Sequence, residues 1–159
     1  MRPTLNAGDI VWCWRLMLSE IDSGDIVIFD APNAVEKGIK RVVATPTDSV
    51  RYMGKELTIN GGVATKKFKR RLPSTDSADV LFEQTLFQRS FDVIEVYGQS
   101  LSESVSNGPG YFLMGDNRDA SVDSRHYGRL TKDRVRCKAV AVVGTEVPDK
   151  FISVGVRWL

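Results

Sequence analysis

The chain has few of the residues that build metal and thiol sites, with one histidine, His126, and two cysteines, Cys13 and Cys137. It has no CxxC pair and no cluster of cysteine with histidine, so the ligands for a zinc site are too few. Both cysteines lie in apolar runs, and the sequence leaves open whether they are buried thiols or one disulfide. We therefore expect no metal and no cofactor.

Long hydrophobic runs are also missing. No stretch approaches the 18 apolar residues that span a bilayer, and residues 1–9 lack the pattern of a signal peptide, so the chain as given is expected to be soluble. The net charge of +2 comes from 22 basic and 20 acidic residues that are interspersed. This balance gives no reason to expect nucleic acid as a partner, and we interpret the basic run at residues 66–71 as a surface loop.

The chain also lacks any long stretch in which apolar residues recur with the 3.6-residue period of a helix. Only Thr131 to Val135 has a plausible helix start, with Thr131 as the cap. Short runs rich in Val, Ile, Phe and Tyr, separated by Gly, Pro, Asn and Asp, instead predict strands. The predicted strands are Ile10 to Trp14, Asp25 to Phe29, Ile39 to Ala44, Ser49 to Met53, Glu56 to Ile59, Val93 to Tyr97, Tyr111 to Met114, Cys137 to Val143, and Ile152 to Val156.

These strands predict a mostly β fold of antiparallel sheets with little helix, and the length of 159 residues fits a single domain. Gly54 and Lys55 form a two-residue connection with glycine first, which favours a type II′ hairpin turn. Residues from about 64 to 86 are polar with weak periodicity, which indicates a small β-hairpin excursion. We expect a variable insertion at about residues 64–90.

A dense group of charges follows the apolar strand that ends at Met114. Residues 115–125 hold three aspartates, two arginines, one asparagine and two serines. Carboxylates and guanidiniums beside a strand end are costly unless they pair, so Asp/Arg ion pairs are expected there. A calcium loop is disfavoured because the arginines would repel the ion and no bidentate glutamate follows at the required spacing.

Lys40 lies in an otherwise apolar strand, beside Ile39, Val42 and Val43. An ordinary lysine, with a pKa of about 10.4, is neutral at pH 7 in only roughly one molecule in 2,500. Burial can lower that pKa by about 3 to 5 units, which makes the amine a usable base. Lys40 is therefore a candidate general base.

Three segments together resemble type I signal peptidase, the bacterial leader peptidase family with a serine/lysine dyad. The nucleophile region of that family reads Ser-Met-x-Pro-Thr-Leu, its lysine region contains Lys-Arg, and its last region reads Gly-Asp-Asn-Arg-Asp-x-Ser-x-Asp-Ser-Arg. The segments of this chain that match in order are Met1-Arg2-Pro3-Thr4-Leu5, Lys40-Arg41 and Gly115 to Arg125. The last match is highly specific, and the matches span nearly the whole chain.

The resemblance implies a role for each matching residue. Lys40 would be the base, and Ser121 would orient its amine. The pairs Asp123 with Arg125 and Asp116 with Arg41 would support the loop between them. The family's nucleophilic serine would lie immediately before Met1, so the chain alone is expected to be inactive. His126 is expected to be a surface or packing residue, and the residues expected to line the substrate pockets are Met1, Leu5 and Ile39.

The resemblance also implies partners and a location. Substrates would be secretory preproteins with small residues at the cleavage site, bound in extended form against strand edges. In the intact protein, a membrane anchor and the nucleophile segment would precede this domain at the extracytoplasmic, periplasmic face of the inner membrane. By this resemblance Trp12, Trp14 and Phe29 could form a surface that rests on lipid, although core placement is equally compatible with their sequence.

Three other interpretations remain open at this stage. The first is an inactive relative that acts as a scaffold or pilus-assembly factor, although a retained Lys40 and Ser121 argue against it. The second is a specialised conjugation or pilin-processing peptidase. The third is a self-cleaving repressor-type protease, but no helix-turn-helix pattern is present.

Overall fold

The computed structural model describes residues 1–14, 21–32, 36–73, 78–98, 103–147, 150–152 and 156–159. The prediction of a mostly β fold with little helix is confirmed. The strands are β1 Asp9–Trp14, β2 Ile26–Asp30, β3 Lys37–Ala44, β4 Val50–Met53, β5 Glu56–Ile59, β6 Gly62–Val63, β7 Lys66–Arg71, β8 Asp79–Leu86, β9 Arg89–Val96, β10 Ser104–Ser106, β11 Phe112–Met114, β12 Val135–Val147, β13 Lys150–Ile152 and β14 Arg157–Trp158. Most of the strand predicted from Ile152 to Val156 lies outside the described residues.

The strands form three antiparallel sheets. The largest has seven strands in the order β1-β12-β2-β3-β11, with β13 and β14 also paired to β12. A four-stranded sheet has the order β10-β4-β5-β6, and a three-stranded sheet has the order β7-β8-β9. The region predicted as a hairpin excursion therefore contributes β7 and β8 to a sheet of its own.

In the part of the chain that the structure describes, helix is limited to short segments near the charged loop and before β12. Helix α1 spans Ser124–Tyr127, and two 3₁₀ turns span Arg118–Ala120 and Lys132–Arg134. The second turn falls within the predicted helical segment, with Thr131 at its N-cap position. Among the described residues, no helix has both the length and the apolar character needed to cross a bilayer.

Strand β3 separates two apolar clusters because successive side chains of a strand point to opposite faces. Val42 packs with Val27 and Phe29 on one face, whereas Val43 packs with residues of β4, β5 and β11 on the other. The ring of Phe29 is 1% exposed, which corrects the idea that it could rest on lipid. Its alternation within β2 directs it into the core.

Two hairpin connections have a more specific geometry than the sequence suggested. Gly54 and Lys55 both have positive φ values, 55° and 67°. A type II′ turn needs a positive φ only at its first central residue, whereas type I′ needs it at both, so the predicted turn type is wrong. Asn60 and Gly61, with φ values of 52° and 78°, join β5 to β6 in the same manner.

A disulfide joins Cys13 and Cys137, the alternative that the sequence left open. The two cysteines lie on β1 and β12, which are neighbouring antiparallel strands of the large sheet. Their separation of 124 residues means that the bond ties the N-terminal edge strand to a strand near the other end of the chain.

Candidate active site

Strand pairing brings the lysine and the charged loop together. In the β3–β11 pair, Met114 lies opposite Arg41, so the next residue of the loop, Gly115, leaves the sheet beside Lys40. A bulge precedes this point, because Phe112 pairs with Ala44 but Leu113 pairs with Val42. The pairing therefore passes over one residue of β3 just before the site.

Lys40 is half-buried, and its cross-strand neighbour is apolar. It lies opposite Val27 of β2, a fully buried residue, and cross-strand partners share one face of a sheet. This burial lowers the pKa of Lys40 below its ordinary value. The carboxylates of Asp123 and Asp116 act against the shift, and the nearby Arg125 guanidinium adds to it.

Ser121 and Lys40 both pack against Gly115. A Cβ atom built on Gly115 would lie 2.3 Å from Ser121 Oγ and 3.7 Å from Lys40 Cδ. The Ser121 hydroxyl is buried and has no hydrogen bond of regular geometry within the described residues. It lies near enough to Asp123 to help lower the pKa of that carboxyl. The structure thus brings the Ser121 hydroxyl and the aliphatic part of the Lys40 side chain to the same glycine.

A buried ion pair links all three sequence segments. Arg41 donates to Asp116 through two hydrogen bonds, Nε to Oδ1 at 2.9 Å and Nη2 to Oδ2 at 2.8 Å. Its third contact runs from Nη1 to the carbonyl oxygen of Gly24 at 2.7 Å. The Thr4 hydroxyl donates to the same Asp116 carboxylate, which attaches the first segment to the other two. The Arg41 guanidinium also lies 4.0 Å from the centre of the Phe91 ring.

The second expected pair closes the far end of the loop. Arg125 donates to both oxygens of the buried Asp123 carboxylate at 2.8 Å. That carboxylate also accepts the Gly115 N–H at 3.0 Å and caps α1 through the Arg125 N–H. Burial opposes its ionisation, yet these donors together hold the pKa of Asp123 below its usual value. His126 completes the cap by accepting the Asp123 backbone N–H at Nδ1, while its side chain is about half exposed.

The three residues expected to line substrate pockets belong to one apolar cluster. Leu5 is buried there, and Met1 and Ile39 pack against it with partial exposure. Burial and the charge of Lys40 both lower the pKa of the Met1 amino group. Ile39 directly precedes Lys40 in β3, so this cluster packs against the strand that carries the lysine.

Strand β3 also has an open edge at the site. Strand β11 pairs with residues 41–44 of β3, so residues 37–40 have no strand beside them on that side among the described residues. A separate cleft of about 510 Å³ opens next to Thr4 and Arg41, with Phe91 and Trp158 in its walls. Neither Lys40 nor Ser121 lines that cleft.

Sequence reasoning missed several residues that hold this arrangement. Arg118 is buried inside the charged loop and contacts Gln84 of β8. Lys55 of the β4–β5 hairpin donates to Asp119 at 2.6 Å. Arg118 and Asp119 lie within the recognised motif, but their partners lie in a hairpin turn and in a region of weak periodicity. The one local signal was the position of Gln84 in β8, where the residues two positions before and after it, Phe82 and Leu86, are apolar.

The chain matches the family described as signal peptidase, peptidase S26, over residues 1–144. It therefore belongs to this family. Signal peptidase I of Pseudomonas aeruginosa is 31% identical to it over 99% of the chain and 62% of that protein. Signal peptidase I V of Bacillus subtilis is 30% identical over 85% of the chain and 75% of that protein.

A solved signal peptidase I structure from Enterococcus faecalis aligns with 74% of this chain and 94% of its own, at 25% identity and a TM-score of 0.47. The chain spans 62% of the Pseudomonas aeruginosa relative and 52% of the signal peptidase I of Pseudomonas fluorescens. It thus corresponds to part of those longer proteins.

Proposed function

We propose that this chain is the catalytic domain of a signal peptidase I, a serine endopeptidase that removes N-terminal signal peptides from secretory preproteins. The observation that carries the proposal is the placement of a partly desolvated Lys40 beside Gly115 and Ser121. Membership of the signal peptidase family supports the same activity. By the family motif the nucleophilic serine would lie directly ahead of Met1.

In this mechanism the neutral Lys40 amine takes the proton of the serine hydroxyl as its oxygen attacks the scissile carbonyl. The Lys40 ammonium then gives that proton to the leaving amine, which becomes the new N-terminus of the mature protein. Water, activated by the same amine, hydrolyses the ester that remains on serine. Ser121 would orient the Lys40 amine through its hydroxyl.

The substrate would bind as an extended strand along the open edge of residues 37–40 of β3. Peptides that add to a sheet edge gain main-chain hydrogen bonds, and their alternate side chains enter pockets. Met1, Leu5 and Ile39 would form shallow apolar pockets for the small residues of the signal peptide. The apolar cluster that contains them supports this assignment.

We also propose that the domain works at the outer face of the cytoplasmic membrane. Trp12 and Trp14 are 46% and 61% exposed on the edge strand β1, and the Trp158 ring lies 6.2 Å from that of Trp12. Exposed tryptophans of this kind are suited to a lipid headgroup region. The Cys13–Cys137 disulfide fits an oxidising compartment outside the cytoplasm.

The decisive experiment places serine directly ahead of Met1 and measures cleavage of a preprotein peptide with an Ala-x-Ala site. K40A should reduce kcat by at least about 10²-fold, which is the range of general-base catalysis. K67A is the control, because Lys67 is an exposed lysine of β7, in the three-stranded sheet. Cleavage that survives K40A would refute the base assignment, and a chain with serine that never cleaves would contradict the proposed activity.

A further inference from the structure

Two buried polar side chains lie on the inner face of the three-stranded sheet, Glu95 of β9, which forms an ion pair with Lys66, and Gln84 of β8. Val80, Gln84 and Leu86 of β8 are buried, and their even spacing puts them on the same side of the strand. Gln84 is 1% exposed. A buried amide is costly unless it is hydrogen-bonded, so a glutamine at this position calls for a specific partner.

That partner is Arg118 of the charged loop. The Gln84 Oε1 atom accepts a hydrogen bond from Arg118 Nη2. The Arg118 side chain is buried at 1% exposure, and no carboxylate lies within ion-pair distance of it in the part of the chain that the structure describes. Gln84 is therefore the side-chain acceptor that the sheet supplies to a buried guanidinium.

Arg118 in turn holds Gly115, the residue against which Ser121 and Lys40 pack. Its Nε donates to the carbonyl oxygen of Gly115 at 3.2 Å, and its own carbonyl oxygen accepts from Arg125 Nη2 at 2.5 Å. Gly115 is also held by its N–H, which Asp123 accepts. The Gly115 backbone that packs against Ser121 and Lys40 is thus held at its N–H by Asp123 and at its carbonyl oxygen by Arg118. Arg118 is in turn bound to Gln84 of the three-stranded sheet.

We propose that Gln84 is a positioning residue for the catalytic site. Its side chain fixes Arg118, and through Arg118 it holds the Gly115 backbone that sets the spacing of Ser121 and Lys40. The proposal rests on the proposed function. It assigns to the region between residues 64 and 90 a part in catalysis, although that region contributes no group that reacts. Strand β9 of the same sheet also contacts the charged loop, since the Ile94 N–H donates to the Asp116 carbonyl oxygen at 2.8 Å.

The test compares Q84L and Q84E in the chain that carries serine ahead of Met1. Leucine has nearly the same size and removes the acceptor, whereas glutamate keeps an acceptor oxygen in the same place. Glutamate loses no bond at the other terminal atom, because Gln84 Nε2 has no partner among the described residues. Q88L is the matched control, since Gln88 is an exposed glutamine of the same hairpin.

We expect Q84L to lower kcat by about tenfold or more, with KM changed less than about twofold, because a misplaced base costs rate more than binding. The rising limb of the pH–rate profile should move to higher pH in Q84L as water reaches Lys40. Q84E should stay within about threefold of the parent protein. Rates are divided by the folded fraction, which is measured by urea unfolding at the assay temperature.

Three results would overturn the proposal: a Q84L rate equal to that of Q88L, a loss explained entirely by the unfolded fraction, or a Q84E variant as impaired as Q84L. The Lys40 amine is also titrated by NMR in the chain without added serine. A Q84L pKa above that of the parent supports positioning even where no cleavage is detected, and an unchanged pKa opposes it. Failure of the proposed peptidase activity is thereby distinguished from failure of this inference.

Discussion

Gly115 and Ser121 are in such close contact that no side chain fits between them: a Cβ atom on Gly115 would lie 2.3 Å from Ser121 Oγ and 2.7 Å from Ser121 Cβ. Real Cβ atoms do not approach so closely, and the obstacle includes the Cβ of a short side chain that cannot swing away. Glycine is therefore required here by space at the site.

G115A should accordingly displace Ser121 from Lys40. In the chain with serine ahead of Met1 we expect cleavage to fall on the order of 100-fold, and stability to fall by about 1–3 kcal/mol through overpacking. G62A serves as the control, because the nearest atom to a Cβ there is 3.4 Å away. Equal activity of G115A and the parent would mean that Ser121 has no part in the reaction.

Burial of Lys40 should make the folded protein less stable at neutral pH than at high pH. The folded-state pKa is lowered, so the unfolded chain binds more protons between that value and about 10.4. Stability due to this group therefore rises with pH through that window. K40M should remove the effect and be more stable than the parent at pH 7, with the difference shrinking as the pH approaches 10.4.

Urea unfolding at several pH values measures this dependence. A K40M variant that is less stable than the parent at pH 7 would contradict the burial argument. The activity should follow the same group, since only the neutral amine can accept a proton. The value of kcat/KM should then rise with pH to a plateau reached below the ordinary pKa of lysine.

The Arg41–Asp116 pair should be far more sensitive to substitution than ion pairs at the surface. In D116N an amide N–H₂ group faces the donors of Arg41 and the charge is left uncompensated in a buried place, which we expect to cost about 3–5 kcal/mol. In the exposed pair of Lys69 with Asp92, D92N should cost less than about 1 kcal/mol. Equal losses in the two variants, measured by urea unfolding, would show that Arg41 is well solvated.

Reduction of the Cys13–Cys137 disulfide should lower the free energy of unfolding by about 2–5 kcal/mol, because the bond restricts a long loop in the unfolded chain. The comparison is between oxidised and reduced protein in urea. The C13A/C137A variant is the control, and dithiothreitol should leave its unfolding curve unchanged. A midpoint that does not shift on reduction of the parent would mean that the bond contributes nothing.

The exposed tryptophans of β1 should promote binding to lipid. W12S/W14S should lower sedimentation with vesicles of phosphatidylglycerol and phosphatidylcholine by about tenfold or more, because each substitution removes a ring that would bury a large apolar area in the lipid. F68S is the control, since Phe68 is exposed to a similar extent in the three-stranded sheet. Equal binding of both variants would exclude β1 as the lipid-facing surface.

Most strands could be predicted from the sequence because their apolar residues alternate or cluster between strong turn formers. Strand β2 is an example, since Ile26 and Val27 follow Gly24 and are both buried. Strand β7 could not be predicted, because its six residues are mostly charged and exposed, and pairing with β8 alone makes them a strand. The turn type at Gly54 could not be predicted either, because lysine is not a residue type that indicates the positive φ found at Lys55.

The candidate site was predictable where motifs are local in sequence and unpredictable where it depends on other sheets. Lys40 was conspicuous as a lysine among apolar residues, and its catalytic role stays a prediction. The contact of Gln84 with Arg118 joins residues 34 positions apart, one in a strand and the other in the charged loop, without an opposite charge. No pattern in either segment indicates the other, because the pairing is created only when the sheets pack.

The bulge between β3 and β11 has a consequence for any attempt to move this site to another protein. Without it, Leu113 would pair with Val43, and Gly115 would face Arg41 in place of Lys40. Copying the loop of residues 115–125 onto a regular hairpin would therefore shift the loop by one residue along β3, away from the Lys40 amine. A transplanted site needs the irregular pairing two residues upstream as much as it needs the loop itself.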